Sequence, residues 1–246
     1  MKFVKNLVLV SCLMGTAGAA MAATPTMTWN IASDQKIDQL TFGITINAAA
    51  PRDQFYFANQ FGFSDGGAIG YTGIQPTVNT ADGKRQFKVL FSSFRADSVS
   101  TFENCSSGAD GASAGVTCRM LVPGELGDTF IFNVKKEDGL MTGTVTNQTT
   151  GRMDIIGQWT VDKSVDALKA SESSWIENYR MNDPRYGLTC DKVSWPYYEV
   201  KFLPPTGNNG ALKGTISGLN RGSDTCPGAI TWTTDSTGTL VKGGFK

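Results

Sequence analysis

Short runs of apolar, β-branched and aromatic residues, broken by Gly, Asp, Asn or Pro, recur along most of the chain. Period-two alternation, or an apolar run too short for a helix, is the pattern of a strand buried on one face or both. It predicts strands over residues 27–31, 40–47, 54–63, 68–75, 86–94 and 116–121. The series continues over 128–135, 140–147, 153–161, 197–203, 212–217 and 229–233. Asp138-Gly139 and Thr150-Gly151 fall between such runs and read as hairpin turns, so residues 132–161 should form a three-strand meander. One short helix is expected over 165–179, where Leu168, Trp175 and Ile176 could line a single face. Pro204-Pro205, followed by Thr206 to Gly210, reads as a long turn and not as a domain boundary. No repeat and no linker divides the chain, which predicts a single domain over 23–246. Many strands and almost no helix predict an all-β fold of two packed antiparallel sheets, a jelly-roll or lectin-like β-sandwich.

The segment 54–76 carries the most specific pattern. On a strand, Phe55, Phe57, Asn59, Phe61 and Phe63 share one face, which the phenylalanines mark as core. The opposite face carries Tyr56 and Gln60, and the next strand repeats the pairing with Tyr71 and Gln75. Side by side, these strands would present two aromatic rings and two amides as one patch. An apolar face with forked hydrogen-bonding groups suits a sugar ring. An ordinary solvated sheet face with cross-strand Tyr–Gln pairs is the alternative.

Composition narrows the chemistry. The 246 residues hold 22 basic and 22 acidic side chains, so no excess of positive charge exists to meet a phosphate backbone, and no nucleic-acid partner is expected. The chain contains no His. That excludes Ser-His-Asp and Cys-His catalysis and any His-ligated zinc or iron. Carboxylate chemistry, an oxygen-ligated metal or no chemistry remain.

Residues 1–22 have the features of a secretory signal peptide: Lys2 and Lys5 at the start, an apolar stretch from Leu7 to Ala20, and Ala20-Met21-Ala22 as cleavage site. Leu9-Val10-Ser11-Cys12 offers a rival lipoprotein reading, but the apolar run before Cys12 is too short for it. A secreted or periplasmic protein without a membrane span is therefore expected. Loss of Lys2 and Lys5 leaves 20 basic against 22 acidic residues, a net charge of −2. Cleavage also removes Cys12 and leaves Cys105, Cys118, Cys190 and Cys226. An even number of cysteines in an exported chain implies disulfides, and chain order favours Cys105–Cys118 and Cys190–Cys226. The absence of any C-x-x-C pair argues against thiolate metal ligation.

Gln60-Phe61-Gly62-Phe63 with the run Gly66 to Gln75 resembles a signature of secreted bacterial and fungal proteins known only as a domain of unknown function. The loop from Cys105 to Arg119 and the paired strands from Thr142 to Trp159 are similar to that family too, so the resemblance spans roughly 54–161. It implies an exported concanavalin-A-like sandwich and supplies no catalytic residues. The family's acidic position in the Cys-bounded loop corresponds to Asp110.

The remaining inventory argues against an enzyme. Glu137-Asp138 lies at a turn, Glu172 and Glu177 fall in the expected helix, and Glu199 stands alone in its strand. No pair of acids takes the same-face spacing that glycoside hydrolysis needs. A lyase using Tyr beside Arg or Gln is weakened by the missing His. Calcium, with oxygen ligands, is the one metal considered, at Ser64-Asp65-Gly66-Gly67 or Ala109-Asp110-Gly111, and no other cofactor is expected. Trp195, flanked by Ser194, Pro196 and Tyr197, is the tryptophan expected at the surface. The sequence thus points to a non-catalytic, lectin-like carbohydrate-binding module using Tyr56, Gln60, Tyr71, Gln75 and Trp195 to hold a glycan or cell-envelope surface. A protein-interaction module such as an adhesin, effector or inhibitor is the alternative, since Tyr and Trp serve both kinds of interface.

Overall fold

The computed structural model describes residues 25–182, 185–186, 189–221, 226 and 229–246. The expected signal peptide and Cys12 lie outside them. Among the described residues fifteen strands are formed. They are β1 (Thr26–Ile31), β2 (Gln39–Ala48), β3 (Phe55–Phe61), β4 (Gly70–Pro76), β5 (Gln86–Ser93), β6 (Cys105–Ser107), β7 (Val116–Pro123) and β8 (Thr129–Glu137). The rest are β9 (Leu140–Asn147), β10 (Met153–Thr160), β11 (Ser171–Asn178), β12 (Tyr198–Gly207), β13 (Leu212–Asn220), β14 (Ile230–Asp235) and β15 (Gly238–Gly243).

All pairings between these strands are antiparallel, and they run β10-β9-β8-β2-β12-β13-β1-β11-β3-β4-β5-β7-β6 as one continuous path. The β14–β15 hairpin attaches to β12. The all-β antiparallel expectation holds. The hydrogen bonding runs on continuously through β13, which pairs with β12 on one side and β1 on the other. The long sheet curls until its two ends nearly close into a barrel. Trp159 of β10, near one end, stacks on Phe91 of β5, near the other, at 5.0 Å between ring centres. Phe61 of β3 stacks against the same indole at 6.4 Å. Inward-facing Phe42, Phe132, Phe130 and Phe87 fill the interior beside them. Removing each such ring from water contributes roughly 1.5–3 kcal/mol, the main term holding the curl closed.

The expected meander is present as β8, β9 and β10. Asp138 and Gly139 both take positive φ, 47° and 80°, as a two-residue turn of this type requires. The helix over 165–179 does not form: its second half is β11, between β1 and β3. Trp175 and Ile176 point to opposite faces of that strand and are both buried. A central strand covered on both sides loses its alternation, and its apolar positions then imitate a helical stripe. Among the described residues the helix observed is one 3-10 turn, Tyr179–Asn182.

The expected turn at Pro204-Pro205 also shifts. β12 continues through both prolines, with an irregular register against β2 between Leu203 and Thr206. The chain reverses only at Asn208, Asn209 and Gly210, all at positive φ. Cys105–Cys118 and Cys190–Cys226 are both disulfide-bonded, as expected from their order. Among the described residues no helix is long and apolar enough to cross a membrane.

Candidate functional site

β11, β3, β4 and β5 lie side by side, and their registers build three cross-strand rows on one face of the sheet. The middle row is Trp175, Ala58, Gly73 and Leu90. Its two central residues are the smallest available, so the floor is low there. A Cβ on Gly73 would lie 2.2 Å from the carbonyl oxygen of Phe57 and 2.8 Å from Cα of Ala58, which leaves no room for any side chain. One step along the strands, Glu177 pairs with Tyr56, and Gln75 pairs with Lys88 on the far side of Tyr56. In the other direction, Gln60, Tyr71 and Ser92 form the third row. With about 3.4 Å per residue, the outer rows stand roughly 13 Å apart and wall a trough across the sheet.

That trough is a cavity of about 560 Å³. Tyr56, Tyr71 and Trp175 form its aromatic corner. Tyr56 meets Tyr71 at 5.7 Å and 72° between planes, and Trp175 at 6.3 Å and 90°. Tyr71 and Trp175 are 6.2 Å apart at 75°, so the three rings stand nearly perpendicular to one another. Burial pushes the Tyr56 phenol well above its ordinary pKa, and the carboxylates of Glu177 and Asp110 add to the rise. The Tyr71 phenol is raised too, chiefly by burial, with the carboxylates of Asp110 and Glu177 adding to the rise. Both phenols therefore stay protonated in any physiological medium. The Tyr56 hydroxyl is buried with no hydrogen-bond partner in the protein.

The rim is charged. Lys88 Nζ donates to Asp53 Oδ1 at 3.0 Å. Burial raises the Asp53 carboxyl, but its bonds to Lys88 and Thr77 outweigh that and hold it below the ordinary range. Gln60 Nε2 donates to Glu172 Oε2 at 2.7 Å, and Glu172 is also 3.3 Å from Lys169 Nζ. Asp110 reaches the rim on the loop between β6 and β7, at a φ of 47°. Cys105–Cys118 ties the base of that loop, so the disulfide fixes where the carboxylate stands.

Four of the five residues expected to bind ligand, Tyr56, Gln60, Tyr71 and Gln75, do line this one cavity. Their setting is not an exposed platform: Tyr56 is 4% and Tyr71 7% exposed, with rings turned toward each other. Trp195 is not part of it. Its indole is buried in the core against Phe55, 6.2 Å between ring centres, because Pro196 directs the chain inward to a bridge with Phe245. The calcium reading at Asp65 also fails to find a ready ligand. Arg95 grips that carboxylate through 2.8 and 3.0 Å hydrogen bonds, and the Gly67 N–H donates a third. No group of three acidic, Cys or His side chains suited to a metal occurs among the described residues. Sequence reasoning missed Trp175, Glu177 and Tyr179, which the expected helix had scattered, and Asp53 and Lys88, which carry no local signal. Counting period two through 171–178 would have placed Trp175 and Glu177 on one face.

No family model matches the chain, and no curated protein matches it. Among solved structures it is similar to Scytalido-glutamic peptidase with a peptide-based transition-state analogue. That match has 14% identity over 91% of this chain and 98% of the other, with a TM-score of 0.48. The same peptidase with a transition-state analogue inhibitor matches at 14% identity over the same shares, with a TM-score of 0.49. The enzymatically active domain of bacteriophage CBA120 tailspike protein 2 matches at 15% identity over 61% of this chain and 20% of that one, with a TM-score of 0.30. These matches are to a peptidase, against the expectation of a non-catalytic carbohydrate-binding module. At this distance they transfer no residue role, and what the pocket can do has to be argued from its own side chains.

Proposed function

We propose that the protein is an exported hydrolase whose reaction is carried by a carboxyl and an amide group flanking Tyr56. The observation that supports this is that Glu177 pairs with Tyr56, and that the β3–β4 register, from Phe57 with Ile74, runs on to bring Gln75 alongside Tyr56 at the cavity. At about 4.8 Å per strand, the Cα atoms of Glu177 and Gln75 stand roughly 10 Å apart. Their side chains can reach over the Tyr56 ring from both sides and leave room between them for a carbonyl group and one water.

In that arrangement the Glu177 carboxylate takes a proton from the water as its oxygen bonds to the carbonyl carbon. The carbonyl π pair moves onto oxygen, and the Gln75 amide N–H donates to the oxyanion so formed. The oxyanion then collapses, the bond to the leaving nitrogen or oxygen breaks, and Glu177 returns its proton to that atom. Glutamine suits the donor role because it stays neutral at every working pH. Raised phenol pKa values at Tyr56 and Tyr71 keep further negative charge off the site. The two disulfides support export, since such bonds persist in oxidising compartments.

The test is cleavage of an unfolded protein mixture between pH 3 and pH 8 by the disulfide-intact protein, with products identified by mass spectrometry. A polysaccharide panel runs alongside it. New peptide termini should appear with the wild type and fall at least about 100-fold with Glu177→Gln, the usual size of a general acid–base contribution. Equal cleavage by Glu177→Gln, or none of any offered bond by the wild type, would refute the assignment.

A further inference from the structure

We infer that Gln60 makes the cavity selective for main-chain amides: its side-chain oxygen accepts from an N–H of an extended polypeptide, and Glu172 is the residue that positions it. The inference rests on the hydrolase reading only in calling that polypeptide a substrate. Three observations carry it. The first is the fixed direction of the Gln60 amide. Its Nε2 donates to Glu172 Oε2 at 2.7 Å, and Lys169 Nζ stands 3.3 Å from Glu172 Oε1. A carboxylate paired with an ammonium only accepts, so the amide nitrogen must face it and the amide oxygen must face elsewhere. The ion pair is itself seated. A Cβ on Gly62 would lie 2.5 Å from Glu172 Oε1 and 2.7 Å from Lys169 Cδ, so both side chains fill the space that this glycine leaves. Gly62 is two residues past Gln60, on the side away from Ala58, and the amide nitrogen is thereby drawn off the cavity floor.

The second is a free acceptor at the wall. Gln60 lines the cavity, and among the described residues nothing donates to its Oε1. That oxygen is not one of the buried unpartnered atoms, whereas Gln54 Oε1 and Asn178 Oδ1 are. Being neither bonded nor buried, it is within reach of a guest.

The third is place. Gln60 stands in the row of Tyr71 and Ser92, across the low floor of Ala58 and Gly73 from the row that holds Tyr56. In a trans amide the C=O and the N–H point in opposite directions. A carbonyl directed at the Tyr56 row therefore sends the N–H of the same amide toward Gln60. An ester or an N-alkylated amide has no such N–H and would leave the Gln60 oxygen unpaired.

The experiment is calorimetric titration with acetyl-hexaglycine dimethylamide and acetyl-hexasarcosine dimethylamide, which share every carbonyl and differ in carrying N–H or N–CH3 along the main chain. The wild type should bind the glycine probe at least about ten-fold tighter, the size of one well-made hydrogen bond. Gln60→Leu, close in size and unable to accept, should weaken glycine binding several-fold and leave sarcosine binding unchanged. Glu172→Gln can donate as well as accept, which frees the Gln60 amide to turn over, and should act in the same direction to a smaller degree. Sarcosine binding monitors the shape of the cavity, so a purely structural loss would weaken both probes together. A wild type that binds glycine no tighter than sarcosine overturns the inference, as does a glycine advantage that survives Gln60→Leu or a loss shared equally by both probes. If Gln60→Leu does not fold, a glycine advantage untouched by Glu172→Gln overturns it. Binding needs no turnover, so the two readings fail separately. Amide selectivity without cleavage of any substrate sinks the hydrolase alone, and cleavage with a glycine advantage indifferent to Gln60 and Glu172 sinks the amide acceptor alone.

Discussion

Gly73 stands where a single methyl group would fill the floor of the cavity. Its Cβ would meet backbone atoms of Phe57 and Ala58, which cannot rotate away. Gly73→Ala should therefore separate β3 from β4 locally, lower the melting temperature by several degrees, and weaken binding of any guest. Calorimetric melting and probe titration on the same variant check both effects. Tyr56 makes the opposite case. Its buried hydroxyl has no partner, and an unsatisfied buried polar group costs about 1–3 kcal/mol. Tyr56→Phe should leave stability equal or higher in a denaturant melt, and a loss of more than about 1 kcal/mol would show that the hydroxyl is satisfied after all. At this scale the sequence was legible where period two was intact. Tyr56, Gln60, Tyr71 and Gln75 could be read onto one face because Phe55, Phe57, Phe61 and Phe63 fixed the other. Glu177 was read onto a helix instead, since the residues around it bury on both faces and obscure the alternation that sets it on the same face as Trp175.

Among the elements, the connection between β7 and β8 shows how one carboxylate holds a turn. Asp128 Oδ2 accepts from the Glu125 N–H and from Asn147 Nδ2, each at 2.8 Å, linking the start of β8 to the end of β9. Burial pushes the Asp128 carboxyl up, but these bonds outweigh it and the folded-state pKa lies below the ordinary value. A depressed carboxyl pKa adds stability that is fully present above the unfolded value near 3.9 and is lost as pH falls through the folded value. Thermal melts from pH 6 to pH 2 should show that loss below about pH 4. Asp128→Asn should melt lower at pH 6, by roughly 1–3 kcal/mol, and show a shallower fall on acidification. Identical slopes for the two proteins would remove Asp128 from the account. Strand existence was legible at this scale wherever a run of three or more alternations survived. β6, three residues long, and β15, with Gly at both ends, offered too little pattern to find.

Across the whole molecule, the order of strands was not legible at all. β2 sits between β8 and β12, and β1 between β11 and β13, so neighbours in the sheet come from distant parts of the chain. Local alternation records which face is buried and nothing about which partner lies alongside. The same limit changed the meaning of the first disulfide. From the sequence, Cys105–Cys118 is a staple on a small-residue loop. In the fold it pairs β6 with β7 and lies against Gly157 of β10, the strand at the opposite end of the sheet path. A Cβ on Gly157 would fall 2.3 Å from the Cys118 sulfur and 2.6 Å from that of Cys105. The disulfide is thus packed into the seam where the curled sheet nearly closes. Replacing both cysteines by serine should cost about 3 kcal/mol by the loop-closure estimate for 13 residues. The loss should not be uniform. Hydrogen exchange should rise first in β10 and in the loop carrying Asp110, while β1 and β2 keep their protection. A staple confined to its own loop would leave β10 unchanged, and that result would show that the seam is held by the Trp159, Phe91 and Phe61 stack without the disulfide.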